Sequence, residues 1–166
     1  MVMRKIMFAV IAVAATLLAV GCDDDRAPQS TRNAFNEQYP TAVDVDWDRK
    51  HGYSVAEFRL SGEWGEHEAW YDKHGNWVMT SIDMRFSDLP GAVQTAFHTA
   101  YGTETPVADV ERLERKNAAT IYLIEAEIVF DGYLTEVWLD YTEDGTLLRT
   151  NVDVEDYDNV YYYLPF

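Results

Sequence analysis

The amino-acid sequence predicts an α+β fold built from two tandem units, each a helix followed by a four-stranded antiparallel sheet. Three observations predict it. Ala34-Phe35-Asn36-Glu37-Gln38-Tyr39-Pro40 is answered by Ala96-Phe97-His98-Thr99-Ala100-Tyr101-Gly102, and Tyr71-Asp72-Lys73-His74-Gly75-Asn76-Trp77 by Tyr141-Thr142-Glu143-Asp144-Gly145-Thr146-Leu147. An internal repeat decides architecture before any single element does. Each copy opens on residues with helical spacing. Each then continues as short alternating runs broken by Asp/Gly turns, the pattern of antiparallel hairpins.

The elements follow in order. Thr31 to Gln38 is a short helix with Phe35 and Tyr39 as its apolar face, ended by Pro40. The second helix is longer. Leu89, Val93, Phe97 and Tyr101 are spaced by four, Ser87 or Asp88 can cap it, Pro90 suits its first turn, and Gly102 suits its left-handed end. Val43, Val45 and Trp47 alternate with Asp44, Asp46 and Asp48, which predicts a half-buried strand with an acidic outer face. Ala56, Phe58 and Leu60 form the next, and Glu68–Tyr71 with Asn76–Met84 form a hairpin. The second copy gives strands at Val107–Leu113, Thr120–Phe130, Tyr133–Tyr141 and Thr146–Val154, with turns at Asp131-Gly132 and Glu143-Asp144-Gly145. The units are thus 31–86 and 87–156, and an aromatic tail, 157–166, follows them.

Upstream of the units the sequence reads as an export signal. Arg4 and Lys5 precede an uncharged apolar run from Met7 to Val20, shorter than the about 20 residues a membrane span needs. Gly21-Cys22 closes it and resembles a lipobox, which implies cleavage before Cys22, acylation of its thiol and a lipid anchor in the membrane. Residues 1–21 are then the signal peptide and 22–30 an acidic tether. Cys22 is the single cysteine, so no intrachain disulfide can form. Loss of Arg4 and Lys5 leaves 11 basic against 29 acidic residues, a net charge of −18. A surface this acidic repels nucleic acid and anionic headgroups and favours cationic partners, metal ions or plain solubility.

Leu89-Pro90, Ala92-Val93, Ala96-Phe97 and Tyr101 resemble the helix of PepSY-like domains, and the two Asp/Gly hairpins quoted above resemble their closing turn. The resemblance is to the β-lactamase-inhibitor-like, PepSY-like family of exported bacterial proteins, over most of 31–154. It implies a helix-plus-sheet repeat and an exported location, but no established activity. Inhibition of peptidases or β-lactamases is implied for relatives by fold analogy alone. The first helix departs from the pattern by lacking Leu-Pro.

No nucleophile elbow or other catalytic signature is present, so no catalytic residue, cofactor or metal is assigned. Glu66-His67-Glu68 with His74 is a compact set of zinc-type ligands, but its spacing matches no established zinc pattern. Asp44, Asp46 and Asp48, and Asp153, Glu155, Asp156 and Asp158, could supply oxygens to calcium; a solvated acidic face is the simpler reading. The aromatic excess says more. Trp64, Trp70, Tyr71, Trp77, Tyr133 and Trp138 are many for units this small. Neighbours such as Trp70 and Tyr71 must point to opposite sheet faces, so part of the set lies away from the helix. Either these residues form a recognition surface for an exported protein or peptide, or the second face is buried by the other repeat or a dimer mate. A small ligand or cation is the alternative to a protein. The tail docks on the sheet, completes an edge, or is recognised by a partner. Asp23-Asp24-Asp25, directly after Cys22, resembles the acidic run that sends lipoproteins to the outer membrane and cell surface in some lineages; a single aspartate at that place is an inner-membrane retention signal in many Gram-negative cells, and a merely soluble tether is the plain alternative.

Mass spectrometry of membrane-extracted protein is expected to show a chain beginning at a lipid-modified Cys22, and Cys22→Ala to leave it unprocessed or released. A mature chain that starts elsewhere with a free thiol contradicts the anchor.

Overall fold

A computed structural model describes residues 27–152 and 159–164. Residues 1–21, read above as a signal peptide, Cys22 and Asp23–Asp25 lie outside these residues, as do Asp153, Glu155, Asp156 and Asp158. Helix α1 (Gln29–Gln38) precedes β1 (Ala42–Lys50), β2 (Tyr53–Leu60), β3 (His67–Tyr71) and β4 (Trp77–Asp83). Helix α2 (Gly91–Tyr101) precedes β5 (Val107–Arg115), β6 (Ile121–Phe130), β7 (Tyr133–Thr142) and β8 (Leu147–Val152). Helix plus four strands therefore occurs twice. The expectation of two separate four-stranded sheets is corrected, because the strands pair in chain order in a single antiparallel sheet of eight. Met79 to Asp83 of β4 pairs with Arg115 to Glu111 of β5. Two separate sheets would each leave a long edge of unpaired N–H and C=O groups at that point, and the junction satisfies both edges.

Both helices cover one face. Phe35 of α1 packs on Ala56, Phe58, Ala69 and Tyr71, and the Phe35 ring meets Phe58 edge-on at 4.9 Å. Leu89, just before α2, and Val93 and Phe97 of α2 pack on Val110, Tyr122, Ile124, Val137, Leu139 and Tyr141. The repeat extends to the turns. Asp72 N–H bonds the Asn76 carbonyl and Gly75 N–H the Asp72 carbonyl; seventy residues on, Thr142 does the same with Thr146 and Gly145 with Thr142. Each turn glycine has positive φ (+82° and +84°) and lies against the first turn of its own helix. A Cβ on Gly75 would sit 3.1 Å from Thr31 Oγ1, and one on Gly145 only 2.6 Å from the Ala92 carbonyl oxygen. A Cβ at 145 would collide with backbone and one at 75 would crowd the Thr31 hydroxyl, and the positive φ of both disfavours a side chain.

Two local expectations change. Neither Ser87 nor Asp88 caps α2; Phe86–Asp88 is a separate 3-10 turn, and the Pro90 carbonyl takes the first helical bonds from Val93 and Gln94. Proline disfavours the helical region for the residue before it, and Leu89 is extended (φ −61°, ψ 152°); Pro90 is itself extended (φ −52°, ψ 138°), so the helix begins at Gly91. In β1 the alternation breaks at Asp44, where φ is +53° and the pairing with β2 shifts between Val43 and Asp46. This bulge leaves Val43 and Val45 exposed, while Trp47 beyond it still reaches Phe35 at 5.3 Å.

Phe97→Ala is expected to destabilise the protein by about 3–5 kcal/mol, since it opens a cavity where α2 meets the sheet. Chemical denaturation measures this, and a loss below about 1 kcal/mol contradicts the burial described.

Candidate functional site: the second face of the sheet

Alternation along the strands sends a different set of side chains to the face away from the helices, and the register lines these up from strand to strand. Asp46 lies opposite Glu57, Glu57 opposite Glu68, and Glu68 opposite Ser81. Farther on, Asp83 lies opposite Glu111, Asp109 opposite Glu125, and Glu127 opposite Glu136. An acidic band therefore crosses seven strands. Lys50 sits within it, its Nζ 3.0 Å from Glu57 Oε1 and 2.8 Å from Glu68 Oε1. Ser81 donates to Glu111 across the β4–β5 junction. Around them lies a cleft of about 180 Å³ lined by Glu57, Glu66, Glu68, Ser81, Asp83, Glu111 and Val160. Burial, first of all, pushes Glu125 up to about 7, and a hydrogen bond with Glu136 and the charges of Glu136 and Asp109 act in the same direction.

The remainder of this face is apolar and covered. Val55, Trp70, Met79, Leu113, Ile121 and Leu123 form a strip across five strands, and the C-terminal 3-10 turn, Asn159–Tyr163, lies on it. Val160 and Leu164 are buried there, at 4% and 7% exposure. Tyr163 Oη donates to Asp140 Oδ2 at 2.5 Å, and Arg149 Nε reaches the same oxygen at 2.7 Å. Asp140 is wholly buried. The Arg149 guanidinium stands 3.7 Å from the Tyr162 ring centre, and that of Arg115 stands 4.8 Å from the Tyr163 ring centre. Burial raises the Tyr163 phenol above its ordinary value, as does its bond to Asp140, so it stays a proton donor.

A single sheet with both helices on one face is also the frame of several known proteins. The family model described as "Putative beta-lactamase-inhibitor-like, PepSY-like" matches residues 48–149. The chain belongs to this PepSY-like family. A BLIP-like protein from Bacteroides fragilis NCTC 9343 is 31% identical, with a TM-score of 0.70 over 82% of this chain and 94% of that one. A DUF2874 family protein from Bacteroides ovatus ATCC 8483 is 29% identical, with a TM-score of 0.72 over 81% of this chain and 93% of that one. A structure from Bacteroides eggerthii DSM 20697, described among "putative periplasmic proteins", shares the fold at 24% identity and a TM-score of 0.72, covering 81% and 95% of the two chains. No curated protein matches the sequence.

In this PepSY-like chain the six aromatic candidates do not form one surface. Trp70 is fully buried beneath the C-terminal turn, and Tyr71 is fully buried on the helix face, where it packs against Phe35 and Trp47. Neither meets solvent; for Trp70 this is the alternative of a covered second face that the sequence left open, and their opposite orientations are those that strand alternation predicts. Trp77 is half-buried in the α1 cluster and donates from Nε1 to Thr80 Oγ1 at 2.8 Å, because the β3–β4 register shift pairs it directly with Tyr71. Trp138 is half-buried on the second face, packed against the strip that the C-terminal turn covers. Trp64, in the loop after β2, is 52% exposed and stacks with Arg85 at 4.8 Å. Tyr133, at the tip of the β6–β7 hairpin, is 77% exposed.

The metal candidates separate too. His67 is buried against Phe58 at 5.1 Å, Glu68 points to the other face, and His74 sits at the far end of β3. Asp44 pairs with Arg59, whereas Asp46 and Asp48 each accept the next residue's backbone N–H. Among the described residues no group of three or more His, Cys, Asp or Glu side chains could hold a metal ion. Sequence reasoning missed Asp140 and Arg149. Their signal was an acid between Leu139 and Tyr141 with an arginine across the hairpin, which became meaningful only once the tail was placed.

Glu125 carries a pH prediction. Its folded value lies above that of an unfolded glutamate, so its contribution to stability is full below about 4.5 and is lost as pH rises through about 7. Glu125→Gln, which stays neutral, is expected to flatten the decline in stability across that window and to raise stability at pH 8. Denaturation midpoints of both proteins from pH 4 to 8 that run parallel would contradict the acid pairing.

Proposed function

We propose that this PepSY-like protein is an exported, lipid-anchored binding module that recognises a protein or peptide through the second face of its sheet. The observation that carries this reading is the asymmetry of the sheet: both helices lie on one face, and the other presents an acidic band across seven strands beside Trp138. Packed antiparallel strands give such a face a fixed shape, and a band of one sign selects cationic segments and speeds their encounter. The acids also keep the module away from anionic headgroups, so a tether of a few residues after Cys22 leaves the face free for a partner. The BLIP-like description of the Bacteroides fragilis relative supports a protein as the ligand. Asp23-Asp24-Asp25 supports outer-membrane placement facing the cell surface. The described residues contain no helix long and apolar enough to cross a membrane.

A photo-crosslinking amino acid at Glu136 on the second face, compared with one at Thr99 on the exposed side of α2, tests the reading in intact cells of the host. A discrete protein adduct from position 136 but not from position 99 is expected, and it should weaken in Glu57→Lys/Glu111→Lys. Equal labelling from both positions contradicts recognition through this face.

A further inference from the structure

The apolar strip of the second face already has an occupant, and its manner of binding is that of a ligand. The C-terminal turn contributes no strand to the sheet. Among its described residues, two aliphatic side chains four positions apart, Val160 and Leu164, are buried on the strip, and the phenol of Tyr163 is hydrogen-bonded to Asp140. Beneath it Val55, Trp70, Met79, Leu113 and Leu123 have no exposed surface, so the face is complete only when something of this shape sits on it. Asp140, wholly buried with Arg149 beside it, gives the phenol a fixed acceptor.

Charge opposes this fit. The residues that lead into the turn include Asp153, Glu155, Asp156 and Asp158, and Asn159 to Leu164 contains no cation. Val160 borders the acidic cleft lined by Glu57, Glu66, Glu68, Asp83 and Glu111, and in the sequence Asp156 and Asp158 precede it by four and two residues. Shape and hydrogen bonding favour the tail while like charge disfavours it. A foreign segment with the same apolar pattern and basic flanks keeps the favourable terms and reverses the unfavourable one.

We propose that residues 159–164 are an internal stand-in for the partner. The face takes a short turn with two aliphatic side chains four positions apart and a tyrosine just before the second, and the true ligand carries lysine or arginine around that pattern and displaces the tail. This rests on the second face being the binding surface, and it specifies the ligand and the competitor.

The test uses the full chain and synthetic peptides. One peptide is residues 153–166; a second replaces its four acids with lysine. Val160→Asp/Leu164→Asp in the full chain expels the tail while leaving the strip beneath it intact. This variant is expected to bind the acidic peptide about tenfold or more tightly than the wild type does, as removal of an intramolecular competitor requires. The lysine peptide is expected to bind more tightly than the acidic one, with the difference shrinking as salt rises. If the double variant does not fold, Tyr163→Phe, which keeps both aliphatic anchors, is expected to increase acrylamide quenching of tryptophan fluorescence, since Trp70 and Trp138 lie at this site. Equal peptide affinity for wild type and variant, no binding by either, or no preference for the lysine peptide overturns the proposal. A wild-type dimer that the double variant abolishes also overturns it, because the tail would then serve a second copy. The peptides come from this chain's own sequence, so their binding needs no outside partner. Peptide binding with no adduct from position 136 defeats the proposed function alone, and an adduct without peptide binding defeats this inference alone.

Discussion

Five residue pairs between β4 and β5, from Met79–Arg115 to Asp83–Glu111, hold the two repeats in one sheet, and the rest of the architecture depends on them. One unit alone has about sixty residues, a size at which a domain buries too little of its surface to be more than marginally stable. The junction extends each sheet by the other and removes two edges. It also brings Met79 and Leu113 side by side on the second face, where both are fully buried. The strip that receives the C-terminal turn is thus a product of the junction, since it draws Val55, Trp70 and Met79 from the first repeat and Leu113, Ile121 and Leu123 from the second.

The two faces solve different problems. On the helix face each repeat buries its own helix with its own aromatics, and the turn glycines at 75 and 145 let hairpin and helix approach within van der Waals distance. On the second face no α-helix lies among the described residues, and apolar area and charge divide it. The apolar part is closed by a segment held at one buried carboxylate, Asp140. The charged part remains half-exposed, and burial, with the neighbouring Glu136 and Asp109 carboxylates acting in the same direction, raises Glu125 above the ordinary carboxylate range.

Much of this was legible in the sequence, for reasons tied to particular residues. Phe35 and Phe97 mark equivalent helix positions, and both are buried as helical spacing predicts. The Asp/Gly turns lie where they were read, because few residues other than glycine accept the positive φ that such a turn requires. Alternation correctly placed Trp70 and Tyr71 on opposite faces. It failed in β1, where one residue in a left-handed conformation at Asp44 shifts the register and exposes Val43 and Val45. Sequence periodicity does not encode a bulge.

The sequence by itself determined the elements, their repetition, the acidic character of the chain and the family, because these depend on local spacing, turn chemistry and composition. Tertiary structure decided that the two sheets are one, which aromatics meet solvent, and what Asp140 is for. Those outcomes rest on contacts between residues far apart in the chain: Met79 beside Leu113, Val160 over Trp70, Tyr163 bonded to Asp140. Each residue of these pairs satisfies its local pattern equally well without the other, so only the packed chain, in which every buried polar group and apolar side chain needs a neighbour, selects the partners.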